Sequence, residues 1–560
     1  MELKGSVTIK KTGGKSYYIH QYRDGDVVRN KTLAPEEAYS LAFKLRFKKN
    51  YDLKEIEEHI FKTEVQYADA LYSMLGKYRA YKRRYAFNDI NKFLHDENAF
   101  GKVLALYGLR RTGKTTLIFQ NIIDMGIDDF SKTAFIQISS RNKIDDLVED
   151  LRFLTSHGFK YIFIDEVTLL EDFISIASIF SDVYGLKSKI VLSGTDSLGF
   201  MIAKSEELYN RVIIIHTTYI PYKEFSDVLG IDSIDKYIEY GGLMTIEGEE
   251  YNQKPIFDET EVNEYVDSAI AHNIEHSLKY YNDGDHLGSL YKLYEKHELT
   301  NVINRIVEDT NHRFAIEVIE EAFKSHDYGS LKNLLLKDKN ERVSTSLDDV
   351  NEEEIISLLM KELDIINKEK QINKIDDDVL KQVEIYLDIL DLCKEIDVVN
   401  IPTFTITKKK AFIQPGLRFA QAKALLNILM KQEKVMSLPI EIREFIKDKL
   451  LSDIKGKMLE EIVLYQTYCS NPNTFKISFP IGEIDMVTYD SNKKETNIYE
   501  VKYSSSIHPN QYRYLIDESN NDIIMRAYYP ISVRAVLYRG NNQVVDNIQY
   551  INVEEYLKNL

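Results

Sequence analysis

Val103-Leu-Ala-Leu-Tyr107 runs directly into Gly108-Leu109-Arg110-Arg111-Thr112-Gly113-Lys114-Thr115-Thr116. An apolar strand, a turn bracketed by two glycines, then Lys-Thr opening a helical segment is the order a phosphate cradle needs. Glycines let backbone N–H groups wrap an anion, and a helix start favours negative charge. Lys114 is placed to reach the outer phosphates of a nucleoside triphosphate, and Thr115 to ligate Mg²⁺. Residues 108–116 therefore read as a binding loop for ATP with Mg²⁺.

Working outward, further apolar runs occur at 133–138, 161–164, 189–193 and 212–216, separated by helical stretches. Continuous apolar runs suit strands buried on both faces, and strands alternating with crossover helices make a parallel α/β sheet. The run Tyr161-Ile-Phe-Ile ends in Asp165-Glu166. Asp165 at a strand's carboxyl end is a second Mg²⁺ ligand, and Glu166 is placed to activate the attacking water. The next run ends Val191-Leu-Ser193-Gly-Thr195. A hydroxyl there is placed to contact the γ-phosphate or the water; Ser193 and Thr195 both qualify, with Thr195 preferred. Arg211, just before the fifth run, is a charge for the transferring phosphate, reaching a neighbouring subunit of a homo-oligomer.

These segments resemble the prokaryotic AAA+ P-loop ATPases that carry a winged helix and a C-terminal nuclease-like domain. The matching stretches are Asn210-Arg211, Val212–His216, Pro221-Tyr-Lys-Glu224-Phe225, Tyr240-Gly241-Gly242-Leu243-Met244 and Gln414-Pro415-Gly416-Leu417-Arg418. Met244 stands where that family has proline. The resemblance implies a helical lid and a winged helix in the middle of the chain. Asp376–Val398 alternates like a recognition helix followed by a strand, which is either a DNA-reading wing or a packing module.

Near the C-terminus, Gly482-Glu483-Ile484-Asp485 precedes Tyr499-Glu500-Val501-Lys502. Glu500 and Lys502 are two apart, so on a strand they share a face. Glu460 lies on the preceding helix. Carboxylates gathered on Mg²⁺ beside a lysine are equipped to activate water against a phosphodiester. Asp485, Glu500, Lys502 and Glu460 resemble the PD-(D/E)xK nuclease pattern, which implies catalytic roles for all four, with Asp485 and Glu500 as metal ligands. A different motif, His272-Asn-Ile-Glu275-His276, has H-x-x-E-H zinc-peptidase spacing but no third ligand at a suggestive spacing, and it falls where the family has its lid helix.

The chain has 560 residues, 44% of them hydrophobic and 29% charged, as in a multidomain globular protein. No apolar run of about 18 residues spans a membrane. The first residues hold no apolar signal core, and Cys393 and Cys469 stand far apart, so a cytoplasmic location is expected. Net charge is −17, yet residues 1–50 hold eleven Lys and Arg against five Asp and Glu. Lys77, Arg79, Lys82, Arg83 and Arg84 add a second basic cluster. Such ends either steer an anionic partner, DNA, or are solvated faces.

The expected architecture is α/β and multidomain. A small basic module of three β-strands and a helix (1–50) resembles the arm-binding domains of tyrosine integrases. A helical linker (51–95), the parallel-sheet AAA+ core (96–225), a helical lid (226–300) and a helical, winged-helix region (301–410) follow. Connecting helices (411–450) lead to a restriction-endonuclease-like α/β domain (451–560). The expected function is ATP hydrolysis coupled to DNA binding or processing. The rivals are a nucleotide-dependent switch that binds protein partners and a DNA-binding module with vestigial catalytic sites.

Overall fold

The computed structural model describes residues 3–50, 53–170, 179–195, 211–244, 266, 270–271, 292–293, 299–324, 352–370, 377–390 and 392–560. They fall into two units. One holds the described residues up to Thr218 together with Met244. The other holds Tyr219–Leu243 and the described residues from 266 onward. The His272–His276 motif lies outside the described residues.

In the first unit, Gly13-Gly14 and Gly25 reverse the chain twice. Strands β1 (Ser6–Thr12), β2 (Lys15–Asp24) and β3 (Val27–Leu33) pair across those turns as an antiparallel meander. Val7, His20 and Leu33 are buried on one side of it. The helix Pro35–Asn50 contributes Ala38, Tyr39 and Leu41 to the same cluster. The Tyr39 ring meets Phe130 edge-on at 4.8 Å, so this module shares its core with the domain that follows.

That domain is a six-stranded sheet of β4 (Glu64–Tyr67), β5 (Val103–Tyr107), β6 (Thr133–Gln137), β7 (Tyr161–Asp165), β8 (Lys189–Gly194) and β9 (Val212–His216). Their order is β4-β6-β7-β8-β5-β9. The five strands from β5 to β9 are parallel, as the apolar runs imply. Val103, Ala105 and Tyr107 enter one core cluster, Leu104 and Leu106 the other. Both faces are therefore covered, which is why the run is continuously apolar.

The linker expected to be helical at 51–95 also contains a strand. Helices Leu53–Glu58, Ala68–Met74 and Ala86–His95 are present, but Glu64–Tyr67 is a strand, antiparallel to β6. The cause is long-range. Fully buried Asp150, on the helix Ile144–Ser156, accepts from the Lys62 amide (3.0 Å), the Thr63 amide (2.8 Å) and the Thr63 hydroxyl (2.6 Å). This fastens the chain beside the open edge of β6.

The second unit joins helices to an eight-stranded sheet. Its strands are β10 (Cys393–Asn400), β11 (Thr405–Phe412), β12 (Thr474–Ser478), β13 (Glu483–Asp490), β14 (Glu495–Val501), β15 (Ile531–Tyr538), β16 (Gln543–Val545) and β17 (Ile548–Asn552). The order is β11-β10-β12-β13-β14-β15-β17-β16. The sheet thus reaches back to Cys393, well before the expected start at 451, because Val398–Asn400 pairs in parallel with Lys476–Ser478. The helix that carries Glu460 runs from Ile440 to Ser470, across the boundary expected at 450. Within the region expected to be helical at 301–410, the helix Glu352–Lys370 carries Ile355, Leu359 and Leu363, which recur every four residues and are buried. No described helix is long and apolar enough to cross a membrane.

Candidate functional site

The loop after β5 is shaped by its glycines. Gly108 lies so close to Thr217 that a Cβ there would come 2.4 Å from Oγ1, and Gly113 has φ 84°. No other residue type fits the first position, and few adopt the second without strain. The helix Lys114–Asp124 begins immediately. The buried Lys114 ammonium donates to the loop's own carbonyls, Gly108 O at 2.9 Å and Leu109 O at 3.0 Å. Burial lowers its pKa, opposed by the charges of Glu166 and Asp165. A buried ammonium lying on the loop at the start of a helix fits a phosphate chain.

Asp165 ends β7 and is buried. The Thr115 hydroxyl donates to its Oδ2 at 2.7 Å, and the Ser193 hydroxyl donates to Oδ1. Glu166 sits in the left-handed region, φ 56° and ψ 36°. That conformation costs a non-glycine residue roughly 1 kcal/mol and turns the side chain out of the strand direction. Burial raises the Glu166 pKa, with Lys114 opposing, and the Thr195 hydroxyl hydrogen-bonds its carboxylate. The two candidate sensors thus divide: Ser193 contacts Asp165 and Thr195 contacts Glu166. Thr115 and Asp165 are the hard oxygen donors that suit Mg²⁺.

Arg211 is not brought to this cluster. Its carbonyl accepts from the Val103 amide at the opposite end of β5 from the loop. Five strand residues place it roughly 16 Å away. Its guanidinium pairs with Asp182 at 2.9 Å on the surface. No contact with a nucleotide in its own chain is open to it.

The basic cluster before β5 is largely used internally. Arg83 pairs with Asp124 at 2.5 Å and lies over the Phe87 ring, while Arg79 lies over Tyr72. Arg84 is buried and donates to one carbonyl of the phosphate loop, Thr112, and to one beside it, Thr217. The sequence reading missed this role. By contrast, the face of the β1–β3 meander opposite Val7 and His20 is open. Lys10, Lys15 and Arg23 are exposed there, and the register places no carboxylate on that face.

In the second unit, β13 and β14 run antiparallel, and Asp485 and Glu500 meet on one face. Lys502 Nζ bridges them, 3.2 Å from Asp485 Oδ2 and 2.6 Å from Glu500 Oε2. The Val501 amide also donates to Asp485. Glu460, from the helix Ile440–Ser470, brings an oxygen within 4.8 Å of oxygens from both Glu483 and Asp485. The four expected residues are thus assembled.

Three further residues were missed. Lys476 lies 2.6 Å from Glu483, and Lys457 lies 2.8 Å from Glu460. Glu483 was legible, since it stands two before Asp485 on the same strand face. Lys457 was legible as well, three residues before Glu460 on the same helix, whereas Lys476 arrives from β12 and was not.

Burial acts on all of these carboxyls. It raises Glu500 and Glu460, each aided by the Asp485 charge. For Asp485 burial is overcome by Lys502, Lys476 and the Val501 amide, which hold it well below the usual carboxylate range. Buried Glu500 Oε1 accepts no hydrogen bond from the protein. A hard oxygen without a donor, among three more carboxylates, fits a divalent cation.

Residues 101–226 match the family described as AAA domain. No curated protein matches the chain in sequence. Among solved structures, the chain is similar to the Walker-type ATPase Paby2304 of Pyrococcus abyssi, with 12% identity and a TM-score of 0.26, covering 60% of this chain and 94% of that one. It is similar to the Hsp104–ADP complex of S. cerevisiae, with 10% identity and a TM-score of 0.25, covering 71% and 61%. It is also similar to the Aeropyrum pernix Orc1 protein in complex with DNA, with 12% identity and a TM-score of 0.22, covering 67% and 99%. At these TM-scores the likenesses carry no functional argument. The family match, the glycine loop and the Asp165-Glu166 strand end together make residues 101–226 an AAA-type P-loop ATPase domain.

Proposed function

We propose that this ATPase is coupled to DNA, and that its C-terminal domain cleaves a phosphodiester with a divalent cation. The observation that carries this reading is that Glu460, Glu483 and Asp485 bring oxygens within 4.8 Å of one another, with Lys502 bonded to both Asp485 and Glu500. When bound, Mg²⁺ supplies charge neutralisation at the scissile phosphate. Asp485, Glu500, Glu460 and Glu483 would hold it, and Lys502 would orient the attacking water or steady the departing charge. The open basic face of the N-terminal meander supports DNA as the partner, through Lys10, Lys15 and Arg23. At the ATPase site, Lys114 would hold the outer phosphates, Thr115 and Asp165 would hold Mg²⁺, and Glu166 would take the proton from water. Arg211, remote from its own site, fits a role in a neighbouring copy of a homo-oligomer.

A second reading is favoured by the lysines. Lys457, Lys476 and Lys502 already pair with the carboxylates, as they would in a relic that binds without cutting. The protein would then be a nucleotide-dependent switch for protein partners. The deciding experiment measures ATP turnover with and without DNA, and cleavage of several DNA forms with Mg²⁺. DNA-stimulated turnover and Mg²⁺-dependent cutting support the first reading. Slow turnover indifferent to DNA, with no cutting, overturns it in favour of the second.

A further inference from the structure

The phosphate loop needs its carbonyls turned outward so that its amides face the ligand. In a planar trans peptide, the C=O of one residue and the N–H of the next point in opposite directions. Whatever holds the Thr112 carbonyl therefore aims the Gly113 amide.

Arg84 holds it. Its Nη1 donates to Thr112 O at 2.5 Å and to Thr217 O at 3.0 Å, with the side chain 6% exposed. The Thr112 hydroxyl meets the Thr217 hydroxyl at 2.8 Å, tying the same two segments a second time. The Leu109 amide is held by Thr218 Oγ1 at 3.3 Å. Arg84 is itself anchored to the helix that the loop opens. Gln120 donates to the carbonyls of Tyr81 and Lys82, at 3.2 and 3.0 Å, and Arg83 pairs with Asp124. The arginine thus links the helix Lys114–Asp124, the turn of the loop and the exit of β9. A buried guanidinium donating to two carbonyls is a costly arrangement to leave half-made.

We propose that Arg84 is a positioning residue of the nucleotide site: gripping the Thr112 carbonyl from outside the loop, it aims the Gly113 amide at the phosphates. It touches no phosphate itself. Its planar fork suits two carbonyls in a way that a lysine reproduces only in part. The inference rests on the nucleotide reading of residues 108–116 and is independent of the DNA reading.

The test is equilibrium binding of ADP and ATP to full-length Arg84→Ala and Arg84→Lys, with the thermal midpoint recorded alongside. Losing hydrogen bonds from a charged donor should raise Kd about tenfold to a hundredfold for Arg84→Ala, with Arg84→Lys in between. ADP should protect the 108–116 amides from hydrogen exchange in the wild type and much less in Arg84→Ala. A purely structural arginine would lower the thermal midpoint and leave Kd and that protection unchanged, which overturns the proposal. If Arg84→Ala does not fold, Arg84→Lys decides alone: wild-type Kd and wild-type protection overturn the proposal. Failure of the wild type to bind either nucleotide sinks the nucleotide reading itself, a separate outcome.

Discussion

The Thr115 hydroxyl donates to Asp165 Oδ2 across 2.7 Å, joining the loop after β5 to the end of β7. Were Mg²⁺ bound, these two side chains would be the protein oxygens that hold it. Thr115→Ala should raise the Mg²⁺ concentration needed for half-maximal turnover about tenfold, while Lys114→Ala should abolish ATP binding. Metal titration of turnover checks the first and labelled ATP the second. A folded Lys114→Ala that binds ATP normally is incompatible with the loop assignment.

Glu166→Gln should bind ATP at close to wild-type affinity and turn it over more slowly by a factor on the order of 10² to 10⁴, because an amide takes no proton. Single-turnover measurements separate binding from chemistry here. Wild-type turnover would assign the water to another group.

Ser193 and Thr195 contact different acids, so their alanine variants should differ in kind. Thr195→Ala removes a hydrogen bond from Glu166 and should lower kcat. Ser193→Ala removes one from Asp165 and should mainly raise the Mg²⁺ requirement. Identical effects on both parameters would show that the two hydroxyls act on one group.

Asp150→Ala leaves two amides and a hydroxyl without their acceptor. Unsatisfied buried donors cost about 1–3 kcal/mol each, so a loss of about 3 kcal/mol is expected even with partial relaxation. Urea unfolding of the variant measures it. A loss below about 1 kcal/mol would mean that water replaces the carboxylate.

Asp485→Ala and Lys502→Ala should each abolish Mg²⁺-dependent cleavage and leave ATP turnover intact, since the cleavage groups and the phosphate loop lie in different units. Glu483→Gln should weaken cleavage as well. Equal cutting by wild type and the Asp485→Ala, Lys502→Ala double variant would assign the activity elsewhere.

What the chain alone determined was chemistry written in contiguous residues. A strand, two glycines and Lys114-Thr115 make a phosphate loop within a dozen positions. Asp165-Glu166 follow their strand directly, and the two-residue spacing of Glu500 and Lys502 puts them on one face, because strand geometry is local. The five parallel strands were legible for the same reason, each a short run apolar on both faces.

What the tertiary structure decided was partnership across the chain. Arg84 looked like one charge in a surface cluster, and only the meeting of Thr112 with Thr217 gives it carbonyls to hold. Glu64–Tyr67 became a strand because Asp150 anchors the residues before it beside an open edge. Lys476 reaches Glu483 from a different strand, and Lys457 reaches it from a helix. Arg211 fell at the far end of its strand because β9 runs parallel to β5. Local periodicity says which way a side chain points; which element stands opposite depends on strand order and burial, set by contacts distant in sequence.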